Sequence, residues 1–584
     1  MSLNPKKINN HIKNPVLHIS NLSLSIGEGN QLKRILQGVD ILLNKGELVA
    51  LVGESGSGKS ITSLTALQLL PNLGSLVDEG EIFYYKDQEE IALHKLSDYE
   101  MQSFRNKEIA IIFQEPMTAL NPAITCGKQI FEAINQHLNL SPSENKKRCI
   151  NLFESVELPN PERIYKAYPH QLSGGQKQRL MIAMALSCDP KVLIADEPTT
   201  ALDVTVQREV LDLIKRLQLK YKMACLFISH DLELVREVAD SIIVMQKGKV
   251  VEKKTTKELF ENPEHSYTKA LLACRPNLNK NLKRLATVSD FLENPTFDIH
   301  TFYTENELSD EEVQHKQMDL YNGKPILEII DLSKTYADSS FFGNRKSINA
   351  LKKVSLTLFK GESLGVVGES GCGKSTLGKC IVQLEKQSLG TILFKGTSVG
   401  HILENDTLTY RKSVQMIFQD PASALNPKMK IGAILTEVMA VHKIGVSSAD
   451  RKKRAEDLLV KVGLLPEHFN RYPHEFSGGQ KQRIGIARAL ALEPEVIICD
   501  ESVSALDVSV QAQVLNLLND LKDSFGLSYI FISHDLSVVK HFCDRIIVLN
   551  KGEVEEEGFP DELFENPKTD YTKSLIESIP GIRE

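Results

Sequence analysis

Almost every recognisable motif in the 584-residue chain occurs twice, in the same order. GESGSGKS at 53–60 returns as GESGCGKST at 368–376, and QEPMTALNP at 114–122 as QDPASALNP at 419–427. YPHQLSGGQKQR at 168–179 returns as YPHEFSGGQKQR at 472–483, and ISHD occurs at 228–231 and 532–535. Even LFENPEHSYTKALL at 259–272 is answered by LFENPKTDYTKSLI at 563–576. A period this long excludes a solenoid, whose repeats run roughly 20–50 residues. It predicts two large homologous domains in place of the roughly four that length alone suggests.

The offsets locate the main difference between the halves. Ser173 and Ser477, Asp196 and Asp500, and His230 and His534 are each 304 residues apart, whereas Gly53 and Gly368 are 315 apart. About ten extra residues precede Gln114 in the first half. We expect them in or near the polar stretch YYKDQEEIALHKLSDYEMQSFRNK, as a surface loop or hairpin. Each half alternates short apolar runs with helical periodicity. GELVALVG, KVLIADE and ACLFISHD, with GESLGVVG, EVIICDE and SYIFISHD in the second half, read as buried strands. Strands of this kind between helices indicate an α/β fold with a largely parallel core sheet. The expected domains are 15–276 and 326–584. Between them, 277–325 carries five basic and nine acidic residues and no strong apolar period, and reads as a mostly exposed connection with short helices.

Gly53 to Ser60 and Gly368 to Ser375 each satisfy G-x-x-x-x-G-K-[ST] between a predicted strand and a predicted helix. Glycines in such a loop let backbone N–H groups close around phosphate oxygens. Lys59 and Lys374 supply a cation for the β- and γ-phosphates, and Ser60 and Ser375 a hydroxyl for Mg²⁺. The helix that follows aims its N-terminus at the same anion. Chance is already the minor reading of one isolated match, and two in matching contexts make it negligible.

Asp196 and Asp500 end apolar strands, where a carboxylate faces the nucleotide crevice and can join the Mg²⁺ shell. Glu197 and Glu501 follow. Strand alternation would turn their carboxylates elsewhere, where each could polarise an attacking water. His230 and His534 lie 33 residues beyond these glutamates in both halves, a pairing that favours contact with the γ-phosphate over a structural role. Gln114 and Gln419 follow the apolar runs EIAIIF and SVQMIF, where an amide can bind the metal or the water.

With LSGGQKQR, FSGGQKQR, DEPTTALD and DESVSALD added, the chain resembles the ABC-type ATPases over nearly its whole length. The resemblance implies two tandem P-loop NTPase domains, each with a core parallel sheet, an antiparallel β subdomain and a helical signature subdomain. It implies that ATP and Mg²⁺ bind at Gly53, Ser55, Gly56, Gly58, Lys59, Ser60 and Ile61, and at Gly368, Ser370, Gly371, Gly373, Lys374, Ser375 and Thr376. Ser173, Gly174 and Gly175 would serve the nucleotide of the second half, and Ser477, Gly478 and Gly479 that of the first, so the halves would pair within one chain. The ALD turns at 201–203 and 505–507 would cross the same interface. The family stacks an aromatic ring on adenine. Tyr336 stands at that place in the second half, and aligning ISNLSLSI with IIDLSKTY puts Ile26 there in the first. Ser502 replaces the proline that the first half carries as Pro198, a change expected to alter a turn rather than the chemistry.

A narrower likeness, in the QEPMTALNP-type tracts, YPH and the YTKALL-type tails, is to the ATPase subunits of peptide/nickel ABC importers. It implies two integral-membrane permease subunits, an extracytoplasmic solute-binding protein, and a place on the cytoplasmic face of the inner membrane. The competing reading is a twin-ABC ATPase acting on ribosomes or nucleic acid. Such proteins usually carry a long basic linker, whereas 277–325 is acidic and the whole chain has a net charge of −7, so no nucleic-acid partner is expected. A DNA-repair ABC ATPase would carry zinc-binding cysteine pairs. The nine cysteines form no Cys-x-x-Cys, and scattered thiols fit a reducing compartment. No secretory signal or transmembrane run is read in the sequence.

Overall fold

The structure is a computed structural model that describes residues 14–27, 32–70, 75–87, 89–200, 202–294, 296–337, 347–504 and 506–579. Ala201 and Ala505, the first residues of the two ALD turns, lie outside them. The chain divides into two compact units. One is built from residues up to Leu272 apart from Asp203–Thr205, and the other from Ala273 onward.

In the first unit a six-stranded sheet runs in the order Lys249–Thr255, Ser241–Gln246, Leu48–Val52, Ala224–Ser229, Val192–Asp196 and Ile109–Ile112. All neighbours are parallel except the edge strand Lys249–Thr255. Leu48–Val52 and Val192–Asp196 are buried along their whole length, which is why they read as unbroken apolar runs rather than alternating ones. A second, antiparallel sheet holds Lys33–Asn44, Pro15–Ile26, Ser75–Lys86 and Glu89–Ala92. Helices Cys126–His137, Pro142–Ser155, Pro161–Lys166 and Gly174–Ala185 lie between the strands Ile109–Ile112 and Val192–Asp196 in sequence. The second unit repeats the plan, with Ser363–Val367 and Val496–Asp500 in the places of Leu48–Val52 and Val192–Asp196.

Strand pairing corrects the placing of the extra residues. Leu17 pairs with Tyr84 and Leu327 with Phe394, so the offset has already fallen from 315 to 310 before the predicted stretch is reached. It falls to 306 at Ala92 and Ser398, across the tip of the next hairpin. The additional residues are therefore split between the segment leading into Ser75–Lys86 and a longer hairpin tip.

The connection between the halves is not a free connector. It carries helices Val288–Glu293, Ile299–Asn306 and Asp310–Tyr321 and is fastened to the second unit's core. Asn516 clamps Leu285 with two hydrogen bonds of 2.9 Å, one to its N–H and one to its C=O. Lys540 reaches the Leu278 carbonyl at 2.7 Å, Lys316 pairs with Asp544 at 2.8 Å, and Tyr321 donates to Glu362 at 3.2 Å. Leu282, Leu285 and Val288, three residues apart, are buried beneath it. A few well-placed apolar residues and polar clamps are enough to dock a segment with little overall periodicity.

Candidate functional site

Each phosphate-binding loop leaves a fully buried strand and enters a helix at its lysine, at Lys59–Ala66 in the first half and Lys374–Ile381 in the second. Gly58 and Gly373 precede these lysines with φ of 105° and 112°, which favours glycine. At Gly53 a Cβ would lie 2.2 Å from the Met245 carbonyl oxygen, so the loop entrance admits no side chain. Lys59 donates to the Gly53 and Glu54 carbonyls at 2.7 and 3.0 Å, and Lys374 to Gly368 and Glu369 at 2.7 and 2.9 Å. Both ammonium groups are thus folded back across their own loops, where phosphate oxygens would replace the carbonyls as acceptors.

Ser60 Oγ donates to Asp196 at 2.9 Å, and Ser375 to Asp500 at the same distance. Burial pushes the Asp196 carboxyl up to about 6, against the pull of Ser60 and Lys59, and it raises Asp500 likewise. A buried carboxylate of this kind is short of positive charge. Next to it, Gln114 Nε2 donates to Glu197 Oε2 at 2.9 Å and His230 Nδ1 stands 3.3 Å from the same oxygen. The second half reproduces this with Gln419 at 2.8 Å and His534 at 3.4 Å from Glu501 Oε2. Burial alone would raise Glu197, but the hydrogen bond and charge of His230 bring it down to about 2, and His534 lowers Glu501 in the same way. Within each half the structure brings the predicted serine, aspartate, glutamate, glutamine and histidine together.

One feature differs from the sequence reading. Glu197 and Glu501 do not continue the strand's alternation. Both adopt left-handed backbone, with φ of 45° and 47°, and their N–H groups bond the Ile228 and Ile532 carbonyls of the neighbouring strand. Such strain in a non-glycine residue costs about 1–3 kcal/mol and collects at functional sites. The halves also differ at one hydroxyl. Thr200 Oγ1 donates to the Glu197 carboxylate at 3.0 Å, while its counterpart Ser504 turns to the Glu501 backbone carbonyl at 2.9 Å.

Ser173 and Ser477 each cap a helix, Gly174–Ala185 and Gly478–Leu490, through capping boxes with Gln176 and Gln480. Gly174 and Gly175 thus open the first helix and Gly478 and Gly479 the second, which leaves backbone N–H groups at the helix starts. Strand register tests the Ile26 alignment directly. Leu24 pairs with Leu36 and Ile26 with Lys33, as Lys334 pairs with Leu351 and Tyr336 with Ile348, so Ile26 and Tyr336 occupy one register position. Tyr336 is partly exposed, and Lys334 Nζ lies 4.8 Å from its ring centre. Base–aromatic stacking contributes about 1–3 kcal/mol. With each site measured alone in chains carrying Lys59→Ala or Lys374→Ala, the Tyr336 site is expected to bind MgATP at least fivefold more tightly than the Ile26 site. Tyr336→Ile should remove that difference, and equal affinities before the substitution would contradict the assignment.

The sequence reading missed one pair of residues. Tyr267 and Tyr571, in the repeated tails, accept hydrogen bonds at 3.0 Å from the backbone N–H groups of Glu54 and Glu369 inside the phosphate-binding loops. The tails' close match was visible in the sequence, but nothing there tied them to the loops.

Comparison with known proteins identifies the family. The ABC transporter family model matches residues 36–200 and 351–504. The chain therefore belongs to the ABC transporter family, as an ATP-binding chain with two cassettes, and it is an ATPase. A model for the oligopeptide/dipeptide transporter C-terminal region matches 251–296 and 555–584, which include both tails. The chain is 43% identical, over 97% of its length and 89% of theirs, to the glutathione import ATP-binding protein GsiA of Escherichia coli K12 and to that of Shigella boydii.

Proposed function

We propose that this chain powers an importer of a peptide-like solute, glutathione or a short peptide, through two integral-membrane permease subunits fed by an extracytoplasmic solute-binding protein. It would sit on the cytoplasmic face of the inner membrane. Among the described residues no helix is long and apolar enough to cross a membrane, so passage of the solute is assigned to separate subunits. The observation that carries this reading is the presence of two complete nucleotide clusters, each followed by a tail of the oligopeptide/dipeptide type. The 43% identity, over 97% of the chain, to a glutathione import ATP-binding protein supports the solute class.

In this reading each ATP lies between one half's phosphate-binding loop and the other half's signature, Lys59 with Ser477 and Lys374 with Ser173. Lys59 and the loop N–H groups bind and orient the phosphates. Mg²⁺ suits the donor set, since Ser60, Gln114 and Asp196 offer only oxygen ligands once the Gln114 amide oxygen turns inward, and burial of Asp196 favours a cation beside it. The ion would neutralise charge on the β- and γ-phosphates. Glu197 accepts a proton from the attacking water, and His230 holds that carboxylate and reaches toward the γ-phosphate. Ser375, Gln419, Asp500, Glu501 and His534 repeat these roles.

The test is uptake of labelled glutathione and labelled dipeptides by a strain lacking the chain, with co-purification of the tagged chain from membranes. Restored uptake of one of these solutes and recovery of permease subunits are expected. Unchanged uptake of all of them, with the chain never found on membranes, would overturn the reading.

A further inference from the structure

The tail of each half ends in a hydroxyl set against the phosphate-binding loop. Glu54 and Glu369 are the first residues after the opening glycines, and their N–H groups point at Tyr267 and Tyr571 across 213 and 202 residues of sequence, at 3.0 Å in both halves. Tyr267 is fully buried. Each tyrosine opens a short tail helix, Ser266–Ala273 or Asp570–Glu577, and its approach is itself held. Glu252, on the edge strand of the core sheet, accepts from the N–H groups of Glu264 and His265 at 2.8 and 3.1 Å. Glu556 does the same for Lys568 and Thr569 at 2.8 and 3.2 Å. Both carboxylates are more than nine-tenths buried. A chain of contacts therefore runs from sheet edge to tail to loop entrance, and the two halves built it with different intervening residues, EHS in one and KTD in the other.

We infer that Tyr267 and Tyr571 are positioning residues for ATP binding: each fixes the entrance of its phosphate-binding loop, so that the tail of each half sets that half's affinity for nucleotide. The N–H groups of such a loop bind phosphate only while the loop keeps its curvature. The first N–H after Gly53 is taken by the tail, which ties the entrance of the loop to residues far away in the sequence. Loss of the hydroxyl removes this bond and lets the loop relax, at the expense of phosphate binding rather than of chemistry. The tail is thereby a part of the nucleotide site and more than a feature of the family outline.

This rests on the proposed role of the two phosphate-binding loops. The experiment uses the full chain and MgATP as the probe, reading equilibrium binding, KM for ATP and kcat. Tyr267→Phe with Tyr571→Phe keeps both rings and is expected to raise Kd and KM for ATP about three- to tenfold, with kcat within twofold of the parent. Glu252→Gln with Glu556→Gln keeps the hydroxyls but loosens their support and should shift KM in the same direction, by less. Unchanged Kd in the tyrosine variant would overturn the inference. So would a fall in kcat that tracks a lowered thermal midpoint, because the tyrosines would then serve the fold alone. If the tyrosine pair does not fold, each single variant is read on its own site, with the other site disabled through its loop lysine. Lys59→Ala with Lys374→Ala separates the two readings. If MgATP binding survives it, the loop assignment fails, and if binding is lost there but unmoved by Tyr→Phe, only the role of the tails fails.

Discussion

Replacing Glu197 and Glu501 together by glutamine is expected to lower steady-state ATP hydrolysis by about 10²–10⁴-fold, the range for loss of a general base. ATP binding should change little. Glutamine keeps the shape of the side chain and can still meet Gln114 and His230, or Gln419 and His534, but it no longer accepts a proton. The two glutamates are well placed for this role. Each carboxylate is held at one oxygen by an amide and an imidazole, and each backbone is turned out of its strand by a left-handed residue. Each single substitution should leave a chain with one active centre, and phosphate release at saturating ATP reads the loss. Hydrolysis by the double variant at the parent rate would remove Glu197 and Glu501 from the chemistry.

The largest expected effect on stability lies in the second half, away from the nucleotide cluster. Glu362 is fully buried, and Arg545 pairs with it at 2.9 Å while also meeting the Thr357 carbonyl at 2.6 Å and the Glu557 carboxylate. Arg545→Met leaves the Glu362 charge with only the Tyr321 hydroxyl and the Phe359 N–H as donors, at 3.2 and 2.7 Å. Removing one partner of a buried pair costs about 3–5 kcal/mol. Calorimetry should show the second half's transition lowered by about 10 °C, taking roughly 2–4 °C per kcal/mol for a domain of this size. Adding Glu362→Gln should recover much of the loss, because the stranded charge goes with it. Among the described residues the corresponding Glu47 of the first half has no arginine partner. Glu47 there accepts from Ser241 at 3.2 Å and from Asn44 at 2.7 Å, so Ser241→Ala should cost only about 1 kcal/mol. Arg545→Met and Ser241→Ala with equal effects would show that the arginine pair carries no special weight.

What was legible in the sequence was whatever a local pattern encodes. The phosphate-binding loops, the paired acids at strand ends and the α/β alternation each depend on a few neighbouring residues, and their repetition removed the doubt attached to any single match. The left-handed turn at Glu197 was not legible, because alternation along a strand says nothing about where the chain leaves it. The contact between Tyr267 and Glu54 joins residues 213 apart, and only the folded sheet makes them neighbours. The docked linker escaped notice for a related reason. Its hold on the second half depends on single side chains, Asn516, Lys540 and Asp544, that lie more than two hundred residues further on. Composition correctly marked that segment as acidic and polar, but composition does not say which polar groups find partners.

The anchorage of the linker also governs a quantity that no single site displays, the effective concentration of one half about the other. Because the segment from Leu278 to Tyr321 is fastened to the second half, most of the connection is docked rather than slack. A short tether keeps linked modules at an effective concentration in the millimolar range, whatever the amount of protein present. If the halves share their nucleotides as proposed above, turnover would be first order in chain, with no second ATP-binding polypeptide to supply.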